Sequence, residues 1–138
     1  MQTPDPREQD LFDRIARISL NWGLTENLVG DLLGDIYNLD HAAASDLIHA
    51  IDLRKKIDLI VKQHKAGTFK PETATFIEAL KYANNNYRKN RNIIAHGSFD
   101  LLGDDYEPAI RSFMQDKHLT ANELQIVLDQ SRYALSAI

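Results

Sequence analysis

Apolar residues recur at spacings of three and four along most of this chain, and that periodicity constrains its fold more than any other feature. Such spacing lays a stripe of side chains along one face of a 3.6-residue helix, whereas a half-buried strand would alternate every second residue. In residues 7–21 the stripe is Leu11, Phe12, Ile15, Ile18 and Leu20, and Gly23 follows as the expected stop. Thr25 is placed to cap a second helix reaching about residue 38 through Leu28, Val29, Leu32, Leu33, Ile36 and Tyr37. Gly30 and Gly34 lower its propensity but permit a close helix neighbour. A third helix is expected from Asp40 to about Lys65, burying Leu47, Ile48, Ile51, Ile57, Ile60 and Val61. Its charged middle, Asp52, Arg54, Lys55, Lys56 and Asp58, reads as a solvated face of mixed sign.

Ala66-Gly67-Thr68 ends that helix, and Pro71 suits the first turn of a fourth, which runs to His96 with Phe76, Leu80, Ala83, Tyr87 and Ile94 on one narrow stripe. Gly97 is positioned to close it. Residues 98–118 lose the helical period and hold Gly103, Asp104, Asp105 and Pro108, so a loop or short β-hairpin is expected there. Phe99, Leu101, Ile110 and Phe113 could fold it back on the bundle. The run Thr120-Ala121-Asn122-Glu123 is a capping box opening a last helix through Leu124, Val127, Leu128 and Leu135. The expected fold class is therefore all-α: a helical bundle of about five helices with a loop or short hairpin before the last. Residues 1–138 form a single domain, and residues 1–6, with two prolines, form a flexible leader.

Composition narrows the chemistry. With no cysteine, disulfides, thiolate catalysis and sulfur-bound metal centres are excluded. A formal net charge of -4 excludes a broad basic surface, so any RNA contact must be local. No apolar run is long enough to cross a bilayer and the start lacks a signal-peptide pattern, which places the protein in the cytoplasm, away from membranes. His41, His49, His64, His96 and His118 show no pair at the spacing of a helical zinc site. The acidic loop around Asp100, Asp104 and Asp105 lacks the alternating oxygen ligands of a calcium loop. Glycine-rich phosphate loops, dinucleotide fingerprints and nucleophile elbows are also missing, so neither metal nor cofactor is expected. Trp22 reads as a core or interface aromatic.

What remains is the fourth helix. Residues 81–96 are dense in amides and cations, although asparagine is a poor helix former. At about 100° per residue, Asn85, Lys89, Asn92 and His96 share one polar face opposite the apolar stripe, with Asn84, Arg88 and Arg91 on its flank. Cleaving a phosphodiester requires a proton acceptor, a proton donor and stabilisation of charge on the phosphorus oxygens. Histidine titrates near neutrality and guanidinium forks onto phosphate oxygens, so His96 and Arg91 cover these needs. RNA supplies its own nucleophile in the 2′-hydroxyl. Arg91 and His96 lie about 140° apart on an ideal helix. One phosphate could be reached by both if the Arg91 side chain wraps round the helix end, or if a two-fold dimer sets two copies face to face. A structural reading competes: His96 could cap the helix C-terminus, and Arg91 could pair with Asp46, Asp52 or Glu78.

The run Arg91-Asn92-Ile93-Ile94-Ala95-His96 resembles the arginine, polar residue and histidine signature of the HEPN superfamily, helical domains of RNA-cleaving toxins and defence proteins. The resemblance is specific over about a dozen residues. It implies a homodimer whose motifs meet at an interface formed largely by the fourth helix, and metal-independent endoribonuclease activity leaving a 2′,3′-cyclic phosphate. In that scheme Arg91 binds the phosphate, His96 is acid or base, and Asn92 orients them, while Asn85, Arg88 and Lys89 hold RNA. A protein antitoxin is the partner such a toxin would have. Some of these toxins carry a tyrosine two residues after the histidine as a modification site, where this chain has Ser98. A similar Arg-Asn-x-x-Ala-His run occurs in proteins resembling the mannitol operon repressor. That resemblance implies a non-catalytic helical dimeric regulator or protein-interaction module in which the motif is structural.

Overall fold

The computed structural model describes residues 5–67, 74–112 and 117–137. Expectations for residues 1–4, Thr68, Pro71 and Phe113, and for the side chains of Leu47, Ile48 and Phe76, fall outside the described residues. Among the described residues, six α-helices and three strands follow in the order α1 (Pro6–Ile36), α2 (His41–Ala50), α3 (Leu53–Lys65), α4 (Ala74–Tyr82), α5 (Arg88–His96), β1 (Ser98–Leu102), β2 (Glu107–Ser112), β3 (Lys117–Thr120) and α6 (Ala121–Ala137). A π-helical stretch, Ala83–Tyr87, joins α4 to α5. The described chain is mostly helical but not all-α, because an antiparallel sheet precedes the last helix. None of its helices is long and apolar enough to cross a membrane.

The first two expected helices are one. Asp5 caps α1, its carboxylate accepting from the Arg7 amide at 2.9 Å, and Pro6 opens the first turn. The leader's last two described residues are therefore a helix start. Gly23 does not stop the helix, and Thr25 is a buried interior residue whose hydroxyl donates to the Asn21 carbonyl at 2.8 Å. A mid-helix glycine costs about 1 kcal/mol. Against that, the buried face continues unbroken through Trp22, Thr25, Val29 and Leu33, and burying a large apolar side chain is worth roughly 1.5–3 kcal/mol. Burial wins.

The third expected helix is two. Asp52 adopts an extended backbone and its carboxylate accepts from the Lys55 amide at 2.9 Å, so the charged middle is a helix beginning. In the fourth, the π stretch widens the turn: the Arg88 amide bonds the Ala83 carbonyl. Side chains use the local backbone acceptors, Asn86 Nδ2 donating to the Tyr82 carbonyl at 3.3 Å and Arg88 Nε to the Asn84 carbonyl at 3.2 Å and side chain at 3.0 Å. The widened turn also shifts the phase of the stripe. Ile77 and Leu80 before it and Ala83 and Tyr87 within it are buried, whereas after it the buried residue is Ile93, with Ile94 only half-buried.

Where a loop or hairpin is expected, the sheet runs β1-β2-β3, with Ser98 opposite Arg111, Leu102 opposite Glu107, Ala109 opposite Thr120 and Ser112 opposite Lys117. Gly103 and Tyr106 take positive φ of 70° and 54° in the connecting turn. Pro108 is tolerated in the middle strand because pairing with β3 begins only at Ala109. Ile110 and Leu119 join Leu11, Ile18, Val29, Ile57, Ile60, Leu80, Tyr87, Leu124 and Val127 in one core.

Two features of this frame are testable. The Tyr87 hydroxyl donates to the Ile18 carbonyl at 2.8 Å inside the core, and burial pushes this phenol well above its ordinary range. Tyr87→Phe is expected to cost about 1 kcal/mol in denaturant unfolding, the net worth of one buried hydrogen bond. On the sheet, Asp100 Oδ2 reaches across the short Ala109 to His118 Nε2 at 3.1 Å. The Leu101 amide first, and His118 second, hold the Asp100 carboxyl below the usual range. A lowered carboxyl stabilises the fold above its unfolded pKa and loses that contribution as pH falls. Asp100→Asn should therefore lower the melting temperature near neutrality and converge with the wild type as the pH falls below about 4, the ordinary carboxyl value.

Candidate functional site

The π turn decides which side chains of the motif helix face α1. It delivers Arg91 to the flank where Trp22 lies, with its Cζ 5.0 Å from the centre of the Trp22 ring. Trp22 is 5% exposed and held on two sides. Its indole N–H donates to Glu26 Oε1 at 2.9 Å, and Tyr87 meets it edge-on at 5.0 Å between centroids. Cation–π contact on a desolvated tryptophan face stabilises such a guanidinium. Arg91 Nη1 also lies 3.5 Å from Asn92 Oδ1, at the outer limit of a hydrogen bond.

Around this pair is a cleft of about 310 Å³ lined by Trp22, Glu26, Asp52, Leu53, Arg54, Arg88, Arg91 and Asn92. Three segments distant in sequence build it: the middle of α1, the start of α3, and α5. Of the expected site residues it unites Arg88, Arg91 and Asn92. Asn85 and Lys89 are exposed and do not line it. His96, the last residue of α5, is exposed as well. It follows Asn92 by four positions, so the two occupy neighbouring places on the helix surface, with His96 one turn beyond the cleft wall. The described contacts of the chain do not join Arg91 to His96.

Among the described residues Arg91 forms no ion pair with Asp46, Asp52 or Glu78. Glu78 pairs with Lys81 at 3.2 Å, and Asp52 lines the same cleft but serves as the cap of α3. Gly97 ends α5 with φ of -86° and ψ of 173°, an extended conformation open to any residue, so it is not a left-handed cap. Its role is close approach, since β2 lies against it.

Sequence reasoning misses Trp22, Glu26 and Arg54. Trp22 reads as core, and it is core that also forms the floor of a cleft. Arg54 belongs to a charge run with no local mark of purpose. The Trp22–Glu26 spacing of four is the available signal.

A second hollow, about 300 Å³, is lined by Ile51, Lys55, Asp58, Leu59 and Lys62. Apart from Ile51, which precedes α3, its lining is one stripe of that helix. Among the described residues no group of three or more histidine, aspartate or glutamate side chains could hold a metal ion. Comparison with protein-family models, with curated proteins and with solved structures finds no match to this chain.

Proposed function

We propose that this chain is a metal-independent endoribonuclease of toxin or defence type, acting in the cytoplasm as a homodimer whose composite site takes Arg91 from one subunit and His96 from the other. The observation that carries this reading is the separation seen in one subunit. Arg88, Arg91 and Asn92 line a cleft suited to phosphate, while His96 is exposed at the helix end, where a partner's substrate could reach it. A two-fold arrangement about α5 would supply what one subunit lacks. The guanidinium groups would hold and neutralise the phosphate, His96 would move the proton, and the RNA 2′-hydroxyl would attack. The motif's resemblance to HEPN nucleases supports the same assignment, and a protein antitoxin would be its natural restraint.

One observation favours a second reading. Arg91 lying on the Trp22 face is also what a purely structural arginine would do, which fits a non-catalytic dimeric regulator like those resembling the mannitol operon repressor. Incubating mixed RNA with purified protein in excess chelator separates the two. Cleavage by the wild type and none by His96→Ala supports the nuclease. Intact RNA with both proteins, each still a folded dimer, leaves the regulator.

A further inference from the structure

The cleft between α1, α3 and α5 has a set of charges that nothing in the described chain completes. Arg54, Arg88 and Arg91 line it with Glu26 and Asp52. Both carboxylates already have donors, the Trp22 indole and the Lys55 amide, each at 2.9 Å. Among the described residues none of the three guanidinium groups forms an ion pair. Arg88 spends only its Nε, on Asn84, and Arg91 rests on an aromatic face. Like charges gathered in a partly desolvated cleft repel, and an anion between them relieves the repulsion.

The balance also selects the anion. Three guanidinium groups against two carboxylates leave one positive charge in excess. That matches the single charge of a phosphodiester better than the charge of about -1.5 to -2 on a phosphate monoester. The volume, about 310 Å³, lies at the small end of ligand pockets and leaves room for a diester link with part of its nucleoside.

We propose that this cleft is a phosphodiester-binding site in which Arg54, outside the motif helix, supplies the third guanidinium, and Trp22 is the seat that Arg91 leaves to meet the ligand. The proposal rests on nucleic acid being the substrate and adds the charge state recognised and a residue the motif does not contain. The exchange is feasible because a cation–π contact is weaker than a charge-assisted bond to phosphate. Glu26 and Tyr87 keep the seat in place when it is empty.

Trp22 is the sole tryptophan in the sequence, so its emission reports on Arg91 directly. The probe is a deoxythymidine tetranucleotide without terminal phosphates, which carries diester links but no 2′-hydroxyl and cannot be turned over. Titrated into the full-length protein, it should change the emission saturably and bind more tightly than thymidine 5′-monophosphate. Arg54→Gln should weaken binding about tenfold, the loss of one charge-assisted pair, with an unchanged melting temperature because Arg54 is exposed. The proposal is overturned by wild-type affinity in Arg54→Gln, by tighter binding of the monophosphate, or by no saturable change in the wild type. Binding of the probe without any RNA cleavage by the wild type would end the nuclease reading and leave this site standing. RNA cleavage by Arg54→Gln with a normal KM would do the reverse.

Discussion

A mixture of Arg91→Ala and His96→Ala subunits is expected to cleave RNA that neither variant cleaves alone. In the proposed composite site each single change removes a group the reaction would need. Loss of a positioned acid or base costs on the order of 10²–10⁴ in rate, and loss of charge stabilisation a comparable factor. Five residues of helix separate Arg91 from His96, about 7.5 Å along the axis and 140° around it. Arg91 turns in toward Trp22 while His96 is exposed. If the partner's histidine completes each site, a mixed dimer holds one intact pair and one empty pair. Random reassortment makes about half the dimers mixed, so activity should return to roughly a quarter of the wild-type level. The measurement is RNA cleavage in excess chelator after the two proteins are unfolded together and refolded. Two inactive variants that stay inactive when mixed would place both groups within one subunit's own site.

Gly97→Ala is expected to destabilise the fold by about 3 kcal/mol, at the upper end of what one overpacked methyl group costs. A Cβ at this position would strike the Ile110 side chain, and would sit 2.5 Å from the Ile93 carbonyl oxygen and 2.9 Å from that of Arg111. Two of those three neighbours are backbone atoms and cannot rotate away. Relief requires the end of α5 to lift from β2, which would also move His96, the preceding residue. Denaturant unfolding and RNA cleavage should therefore fail together, whereas Tyr87→Phe should lower stability alone. A Gly97→Ala variant within about 0.5 kcal/mol of the wild type, the range of an innocuous surface change, would show that this approach is looser than described.

The two effects separate cleanly because the site sits on a rod fixed at both ends. Upstream, the π stretch sets the phase of α5 and Tyr87 locks it to α1. Downstream, Gly97 joins it tightly to the sheet. A change at Gly97 reaches the motif through geometry, with no contact to substrate, whereas loss of the Tyr87 hydroxyl leaves the π stretch and the ring packing in place.

Local pattern alone determined that this chain would be mostly helical and much of what α1 and α6 bury, although Phe12, Leu20 and Tyr37 of the expected stripes are exposed. Leu11, Ile18, Val29, Leu33, Leu124 and Val127 all lie in the core, because helical periodicity is a property of neighbours a few residues apart and needs no knowledge of the rest. Boundaries were less legible. Gly23 reads as a stop, yet continuing burial through Trp22 and Val29 outweighs one glycine, and Asp52 reads as surface charge, yet it begins a helix. The short strands carry too few alternations to announce a sheet. The cleft was beyond reach entirely: Trp22, Arg54 and Arg91 come from three helices, and only the way those helices cross brings them together. Tertiary structure also decided that Arg91 faces inward and His96 outward, since a π turn rotates every residue after it by an amount that no residue spacing records.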